Sequence, residues 1–340
     1  MTIRRLLAAA AALGACQASL AAEAPTALAA PATLPGKGLA EHPFLYCGEY
    51  EHNADQQTLH LVRNGVEVWR HEIKFRVMRD GRPDIQELGD CSLLSNGNVI
   101  FTTRFGATEI APDKTVVWQY FGPSGTEIHS LQPLGLDRVL LAQNGNPAQL
   151  LLIDKKQNKV ERTFNVPVGK PEQVHGQLRR ARLTKAGTYL IAHMDMNQVT
   201  EYDEGGKVLW SVEVESPWGA VRLRNGHTLV SSNKGFVREF DPAGAVVWSF
   251  TRADAAQAGY DLRNVQEVSR LDNGNTVVTN WVAGSARPAQ WPATVQVLEV
   301  TPDKRIVWAL REWSAPNLGP ATSIQLLDQP GLVENGDLQR

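Results

Sequence analysis

One strand–turn–strand phrase recurs along this chain. Leu94 opens LSNGNVIFTT, Leu223 opens LRNGHTLVSS and Leu271 opens LDNGNTVVTN. Leu183 opens a looser copy, LTKAGTYLI, and Leu134 the weakest, LGLDRVLLA. Asn-Gly pairs supply the positive φ angles of a tight hairpin, and the β-branched alternation after them reads as a half-buried strand. A second phrase follows each time. Thr108 opens TEIAPDKTVVWQY, Thr200 opens TEYDEGGKVLWSV, Arg238 opens REFDPAGAVVWSF, Leu298 opens LEVTPDKRIVWA, and Leu151 opens LLIDKKQNKVERTF, which lacks the tryptophan. Each repeat therefore supplies four antiparallel strands, a to d, over roughly 40–50 residues, a period that marks propellers and solenoids.

Five copies are complete and a sixth is divided between the chain ends. His60 opens HLVRNGVEVWRHEI, a c–d hairpin with Trp69; residues 44–49 fit the b strand, and Thr322 opens TSIQLLDQPG, the a strand. The expected fold is an all-β, six-bladed β-propeller of four-stranded antiparallel blades, closed by pairing of N- and C-terminal strands in one blade. Trp118, Trp210, Trp248 and Trp308 fall at one fixed place per repeat, so packing between sheets is their expected role.

The N-terminal residues stand outside this pattern. Arg4 and Arg5 precede a short apolar run, Leu6 to Leu13, and small residues follow, as in an export signal. The run is too short for the roughly 20 residues of a membrane span. Leu13-Gly14-Ala15-Cys16 reads as a lipobox that would acylate Cys16, and Ser19-Leu20-Ala21 reads as an ordinary cleavage site. The domain reading is an export signal over residues 1–22, an Ala/Pro-rich linker over 23–42, the propeller over 43–330 and a C-terminal tail over 331–340. The expected location is the periplasm, or the outer membrane through a lipid on Cys16. Cys47 and Cys91 are disulfide candidates in an oxidising compartment, or two buried thiols acting as small hydrophobes.

The formal net charge is -2, and without Arg4 and Arg5 the balance is 32 basic to 36 acidic residues. No broad basic field exists to hold nucleic acid. The expected state is a monomer whose partner is a small-molecule or protein ligand.

The phrase D-x-x-G-x-V-x-W resembles the repeat of pyrroloquinoline quinone (PQQ) dehydrogenase propellers. The L-x-N-G-N-x-L-x-T phrase with that tail is similar to the propeller of bacterial arylsulfotransferases. The first resemblance implies a quinone and calcium site. The chain offers neither a calcium-binding carboxylate cluster nor a vicinal cysteine pair, so no cofactor is expected. The second implies a histidine in the central channel supported by arginine, a place that His129 could occupy. A PQQ-repeat lipoprotein of envelope assembly is a further relative by resemblance.

Strand alternation puts the a–b and c–d turns on one face, and the b–c turns and d-to-a connections on the other. The d-to-a connections are the longer and more varied, as binding loops are. An insertion over residues 283–294, with Arg287 and Trp291, reads as a partial lid on the same face. Counting back from each turn leucine aligns Gly89, His129, Leu178, Trp218, Gln266 and Thr322 at the channel start. Arg179 follows one residue later, and His175, Tyr260 and Arg263 lie in the connections above. The candidate ligand residues are Arg179, Trp218, Tyr260, Arg263 and Gln266, and the candidate catalytic residues are His129 and His175. An aryl anion or a sugar suits such a pocket, since arginine pairs with oxyanions and Trp218 stacks. The competing reading makes His129 a partner of neighbouring backbone, and Arg179, Arg180 and Arg182 a solvated face or an inter-blade pair. His193-Met194-Asp195-Met196 suggests a soft metal site, but alternation along a strand reads better as packing, and no metal is expected.

No G-x-S-x-G elbow, H-E-x-x-H pair or phosphate-binding loop occurs. The leading expectation is thus an exported binding or scaffold propeller. The alternative is an arylsulfotransferase-like transferase or lyase using a channel histidine and arginines. Geometry separates them: an enzyme needs His and Arg converging in one pocket, and a scaffold needs a broad apolar patch.

Overall fold

The structure is a computed structural model that describes residues 28–51 and 55–340, with backbone only for Tyr50 and Glu51. The export signal, Cys16 and the start of the linker lie outside the described residues. Six four-stranded antiparallel sheets and one two-stranded hairpin account for the described strands. Blade 1 comprises Leu88–Leu93, Val99–Thr103, Gly106–Ile110 and Val116–Phe121. Blades 2, 3, 4 and 5 open on Glu127–Leu134, Leu178–Leu183, Pro217–Arg222 and Val268–Arg270. Blade 6 is the divided one: Ala321–Leu326 pairs with Phe44–Glu51, followed by Gln56–Arg63 and Val66–Lys74. The ring is therefore closed by hydrogen bonds between the two ends of the chain, which removes an open sheet edge.

The hydrophobic core is divided among the clefts between neighbouring blades. Leu94 and Ile100 of blade 1 meet Leu131 and Val139 of blade 2. Leu190 and Val199 of blade 3 meet Val230 and Phe236 of blade 4, and Val277 and Trp308 of blade 5 meet Phe44 and Ile324 of blade 6. The repeated tryptophans bridge these clefts. Trp69 Nε1 donates to Pro112 O at 2.9 Å, Trp118 Nε1 to Asn158 Oδ1 at 3.1 Å, and Trp248 Nε1 to Pro302 O at 2.9 Å. In each pair the acceptor is a c–d turn of the next blade. Trp308 instead donates to Gly38 O at 2.9 Å, so part of the expected linker is held against blade 5. Ala309 N and Pro35 O add a backbone bond at 3.2 Å.

The Asn-Gly turns differ in one detail from the expectation. Only the glycines, Gly97, Gly226 and Gly274, have positive φ. The Asn side chain caps the turn instead, with Asn96 Oδ1 accepting from Asn98 N and Asn273 Oδ1 from Asn275 N. This is a longer hairpin with a left-handed glycine, not a two-residue turn. Glu239, beside the c–d turn of blade 4, is buried and pairs with His227 and Arg270.

Five innermost strands carry a register shift near their start. His129, Trp218 and Thr322 are the unopposed residues in blades 2, 4 and 6. Arg179 and Arg180 share one opposing residue in blade 3. A bulge re-aims side chains that a regular pleat would alternate. Hydroxyls on the b strand accept from N–H groups at the start of the first strand: Thr102 from Asp90 N, Ser231 from Gly219 N, and in blade 5 Thr279 from Glu267 N.

The short-turn end of the channel is closed by the C-terminal segment, which sequence reading treats only as a tail. It crosses the a–b turns, with Gly135 N donating to Glu334 O and Arg224 N to Gln339 Oε1. Arg340 enters the channel and donates to Glu267 Oε1 at 2.8 Å, Ser92 Oγ at 3.2 Å and Cys91 O at 3.0 Å. Asp90 lies 2.8 Å from Arg180 and 3.2 Å from Arg182. Burial alone would raise the Asp90 carboxyl, but Arg180, Arg182 and Arg340 bring it down to about 2. Of the three-arginine run, Arg180 and Arg182 thus belong to a buried ion network.

Cys47 and Cys91, the disulfide candidates, are free thiols in the structure. They meet where the b strand of blade 6 faces the a strand of blade 1, among Leu45, Leu59 and Val99, and fill the cleft as small apolar groups.

Removing one partner from a buried ion network leaves its counter-charges unpaired. Arg340→Ala should therefore cost about 3–5 kcal/mol in equilibrium urea unfolding. Because the folded Asp90 pKa lies below its usual value of 3.8, its contribution is present above that value and is lost as pH falls towards about 2. Unchanged stability in the variant would show that the tail merely rests on the channel.

Candidate functional site

The opposite mouth, on the long-loop face, gathers ionisable groups from three blades. Glu127 and His129 are two residues apart on the first strand of blade 2, so the strand presents them together. His175 comes from a single 3-10 turn, Val174–Gly176, before blade 3. Glu127 Oε2 lies 2.9 Å from His129 Nε2 and 2.8 Å from His175 Nδ1. Its other oxygen accepts from Arg104, 2.6 Å away, on the b–c turn of blade 1. The hairpin Arg76–Arg79 with Arg82–Ile85 contributes Asp84, 3.6 Å from Arg104. Gly89 borders the cluster, where a Cβ would lie 2.6 Å from His129 O, so only glycine allows blades 1 and 2 to approach this closely.

The electrostatics set the protonation states. Burial would raise the Glu127 carboxyl, but hydrogen bonds from His129 and His175 hold it well below the usual range. Burial, with the Arg179 charge beside it, lowers His129 to about 3. His129 is therefore a neutral imidazole at ordinary pH, and it donates from Nε2 to the ionised Glu127. Glu49 is a second unusual acid near this mouth. Burial and then Glu87 push its carboxyl well above the usual range, and Trp281 Nε1 donates to it.

Arg179 is the least compensated charge at this mouth. It is 2% exposed. Its Nη1 donates to the carbonyls of His175 and Leu178, and its Nε has no partner. The guanidinium stacks 4.6 Å from the centre of the Trp218 ring. Among the described residues no carboxylate forms an ion pair with it. Burial accordingly pulls it down to about 10, against the attraction of Glu127 and Glu87. A buried cation that no carboxylate touches is costly, and an incoming anion would supply the direct contact.

Of the sequence candidates, the structure brings His129, His175, Arg179 and Trp218 together. Gln266 lies buried at the channel start in blade 5, where its carbonyl accepts from Arg180 at 3.2 Å. Tyr260 and Arg263 are elsewhere. Tyr260 packs in the core between blades 4 and 5, and Arg263 is bound to Asp261 and to Ser285 O. A capped helix, Arg252–Gln257, redirects that connection away from the mouth. The expected lid is folded on itself, with Trp291 buried against Trp313. Sequence reading missed Glu127 and Arg104. Glu127 was findable as the same-face neighbour of His129.

The short-turn end also has a cleft, of about 470 Å³, between the a–b turns and residues 334–340. Its cations Arg182, Lys185, Arg222 and Arg224 are paired with Asp90, Asp337, Glu201 and Asp272. Arg340, which also lines it, is paired with Glu267, so the cleft offers an anion no unpaired cation, and this favours the long-loop mouth on chemical grounds.

No family model matches the chain, and no curated protein matches it in sequence. Solved structures do match. A protein of unknown function from Bacteroides caccae superposes with a TM-score of 0.68 at 22% identity, covering 83% of this chain and 97% of that one. A catalytically inactive histidine-to-alanine variant of virginiamycin B lyase from Staphylococcus aureus, solved with quinupristin, gives a TM-score of 0.52 at 11% identity, over 82% of this chain and 88% of that one. A streptogramin B lyase gives 0.52 at 11%, over 85% and 87%. At these identities the likeness is one of fold.

The His129 assignment has a direct spectroscopic consequence. In a proton–nitrogen correlation spectrum, the His129 ring should stay neutral from pH 8 to pH 5. An imidazole titrating near its ordinary value of 6.5 would contradict the burial and the Arg179 contact that lower it.

Proposed function

We propose that the protein is an exported binding propeller that takes a small anionic ligand with an aromatic group at the long-loop mouth of its channel. The observation that carries this reading is Arg179, buried, stacked on Trp218, without an ion-pair partner, and beside the neutral imidazole of His129. Guanidinium recognises planar or tetrahedral oxyanions through paired N–H donors, and indole gives an aryl group a stacking face. The scaffold alternative has less support. Exposed apolar residues such as Val66, Val116, Val208 and Val246 lie on the outermost strands of four separate blades instead of forming one patch.

Convergence of two histidines, a carboxylate and arginine in one mouth favours a second reading, in which the bound anion is also transformed by a transferase or lyase step. Export is part of the first proposal and rests on the n-region, the apolar run and the small residues around Cys16 and Ala21.

Thermal shifts test the binding reading. 4-Nitrophenyl sulfate at about 100 times its Kd should stabilise the mature domain by about 2.7 kcal/mol. The shift should vanish in Arg179→Gln and shrink in Trp218→Leu, and a neutral phenyl glycoside should give none. A shift that survives in Arg179→Gln, or no shift with aryl sulfate, sulfate or aryl phosphate, would overturn the site. Release of 4-nitrophenolate that disappears in His129→Ala would support the second reading.

A further inference from the structure

We propose that Glu127, His129 and His175 bind a divalent transition-metal ion at the long-loop mouth. The donor set is two imidazole nitrogens and one carboxylate oxygen. It suits zinc, cobalt, nickel, iron or manganese, and not calcium or magnesium, which favour all-oxygen shells.

The geometry is nearly assembled. His129 Nε2 and His175 Nδ1 aim at the same oxygen of Glu127, and the three donor atoms lie within 4.8 Å of one another. A tetrahedral ion with bonds of about 2.1 Å holds its ligand atoms about 3.4 Å apart. Small side-chain rotations therefore open the cluster enough. The rings are 5.3 Å apart and inclined at 72°, so their nitrogens converge while the ring faces do not stack. A neutral imidazole reaches the ion by moving its proton to the other ring nitrogen.

The surroundings supply what such a site needs. Arg104 holds the second oxygen of Glu127, the kind of outer contact that orients a ligating carboxylate. The turn carrying His175 is tied down, since Asn144 Nδ2 donates to Val174 O at 2.9 Å and Arg179 donates to His175 O. His175 is half exposed, with 52% of its side chain accessible, and gives the ion a route from solvent. Three protein ligands leave a coordination position open.

Charge also balances. The groups acting on Arg104 and Arg179 are the carboxylates Glu127, Glu87 and Asp84. Three carboxylates against two guanidiniums leave a formal charge of about -1. A divalent ion turns this to about +1, and a monoanionic ligand brings it to zero. Metal binding rests on the cluster alone; its coupling to an anion rests on the function proposed above.

This differs from the metal suggestion in the sequence. His193 faces the Tyr202 hydroxyl at 3.2 Å, and Asp195 accepts from Gly169 N and Lys170 N, so those residues form no joint site.

The test is titration of chelator-treated full mature chain with Zn²⁺ and Co²⁺, read by calorimetry and by visible ligand-field absorption. The expected result is one ion per chain, a coloured cobalt complex, and displacement of cobalt by zinc. His175→Ala is the decisive variant, because a half-exposed side chain can be removed without unfolding the ring. It should weaken zinc at least about 100-fold, while His227→Ala should bind as the parent does. Absence of binding, or equal affinity in parent and His175→Ala, would overturn the site. Repeating the aryl sulfate shift in chelator separates the two proposals. An Arg179-dependent shift without zinc binding removes the metal site and keeps the anion site. Zinc binding without any anion shift does the reverse.

Discussion

The contact on which the rest of the molecule depends is the one between neighbouring sheets. A single four-stranded blade has two faces to cover and cannot cover them alone. The outermost strand of three blades sends a tryptophan across the cleft to a c–d turn of the next blade. Beneath these contacts run separate apolar clusters, one per cleft. In blade 2 Arg162 stands at the tryptophan's register position, opposite Leu152, and Phe164, two residues further on, packs on Tyr189 and Tyr202 of blade 3. Closure by Phe44–Glu51 against Ala321–Leu326 makes the contact cyclic, so every cleft has two walls.

A closed ring creates a channel, and the bulges decide what the channel contains. In a regular pleat alternate residues would face the axis. The extra residue in the first strand turns His129, Trp218 and the Arg179-Arg180 pair to new directions. Arg179 and Arg180 then part company. Arg180 joins Asp90, Glu267 and Arg340 in the network that closes the short-turn end, and Arg179 stays at the long-loop mouth. One end of the channel is charge-paired and structural. The other retains a buried guanidinium, a neutral imidazole and an ionised carboxylate.

Architecture was legible because it is written in repetition. The turn glycines, the strand alternation and the tryptophan spacing gave blade number, strand order and the divided blade. The site was legible only where the repeat register reached it. Counting back from the turn leucines selected His129 and Trp218, the unopposed residues of blades 2 and 4, but in blade 3 it selected Leu178, and the bulge puts Arg179 at the mouth. Tyr260 and Arg263 were misplaced because a capped helix interrupts their connection, and its effect on the chain path is not periodic. Arg340 could not be foreseen at all. Nothing in residues 331–340 repeats, and an arginine near the end of the sequence gives no sign that it enters a channel lined by Asp90 and Glu267.

The central claim is that the long-loop mouth is built to receive an anion at Arg179. Crystals grown with selenate, read by anomalous scattering at selenium, would test it most directly. The account predicts a selenium peak at the mouth, with oxygens in hydrogen-bond reach of Arg179 Nε. A mouth without selenium, or a peak confined to the Arg182 and Arg340 end of the channel, would contradict it.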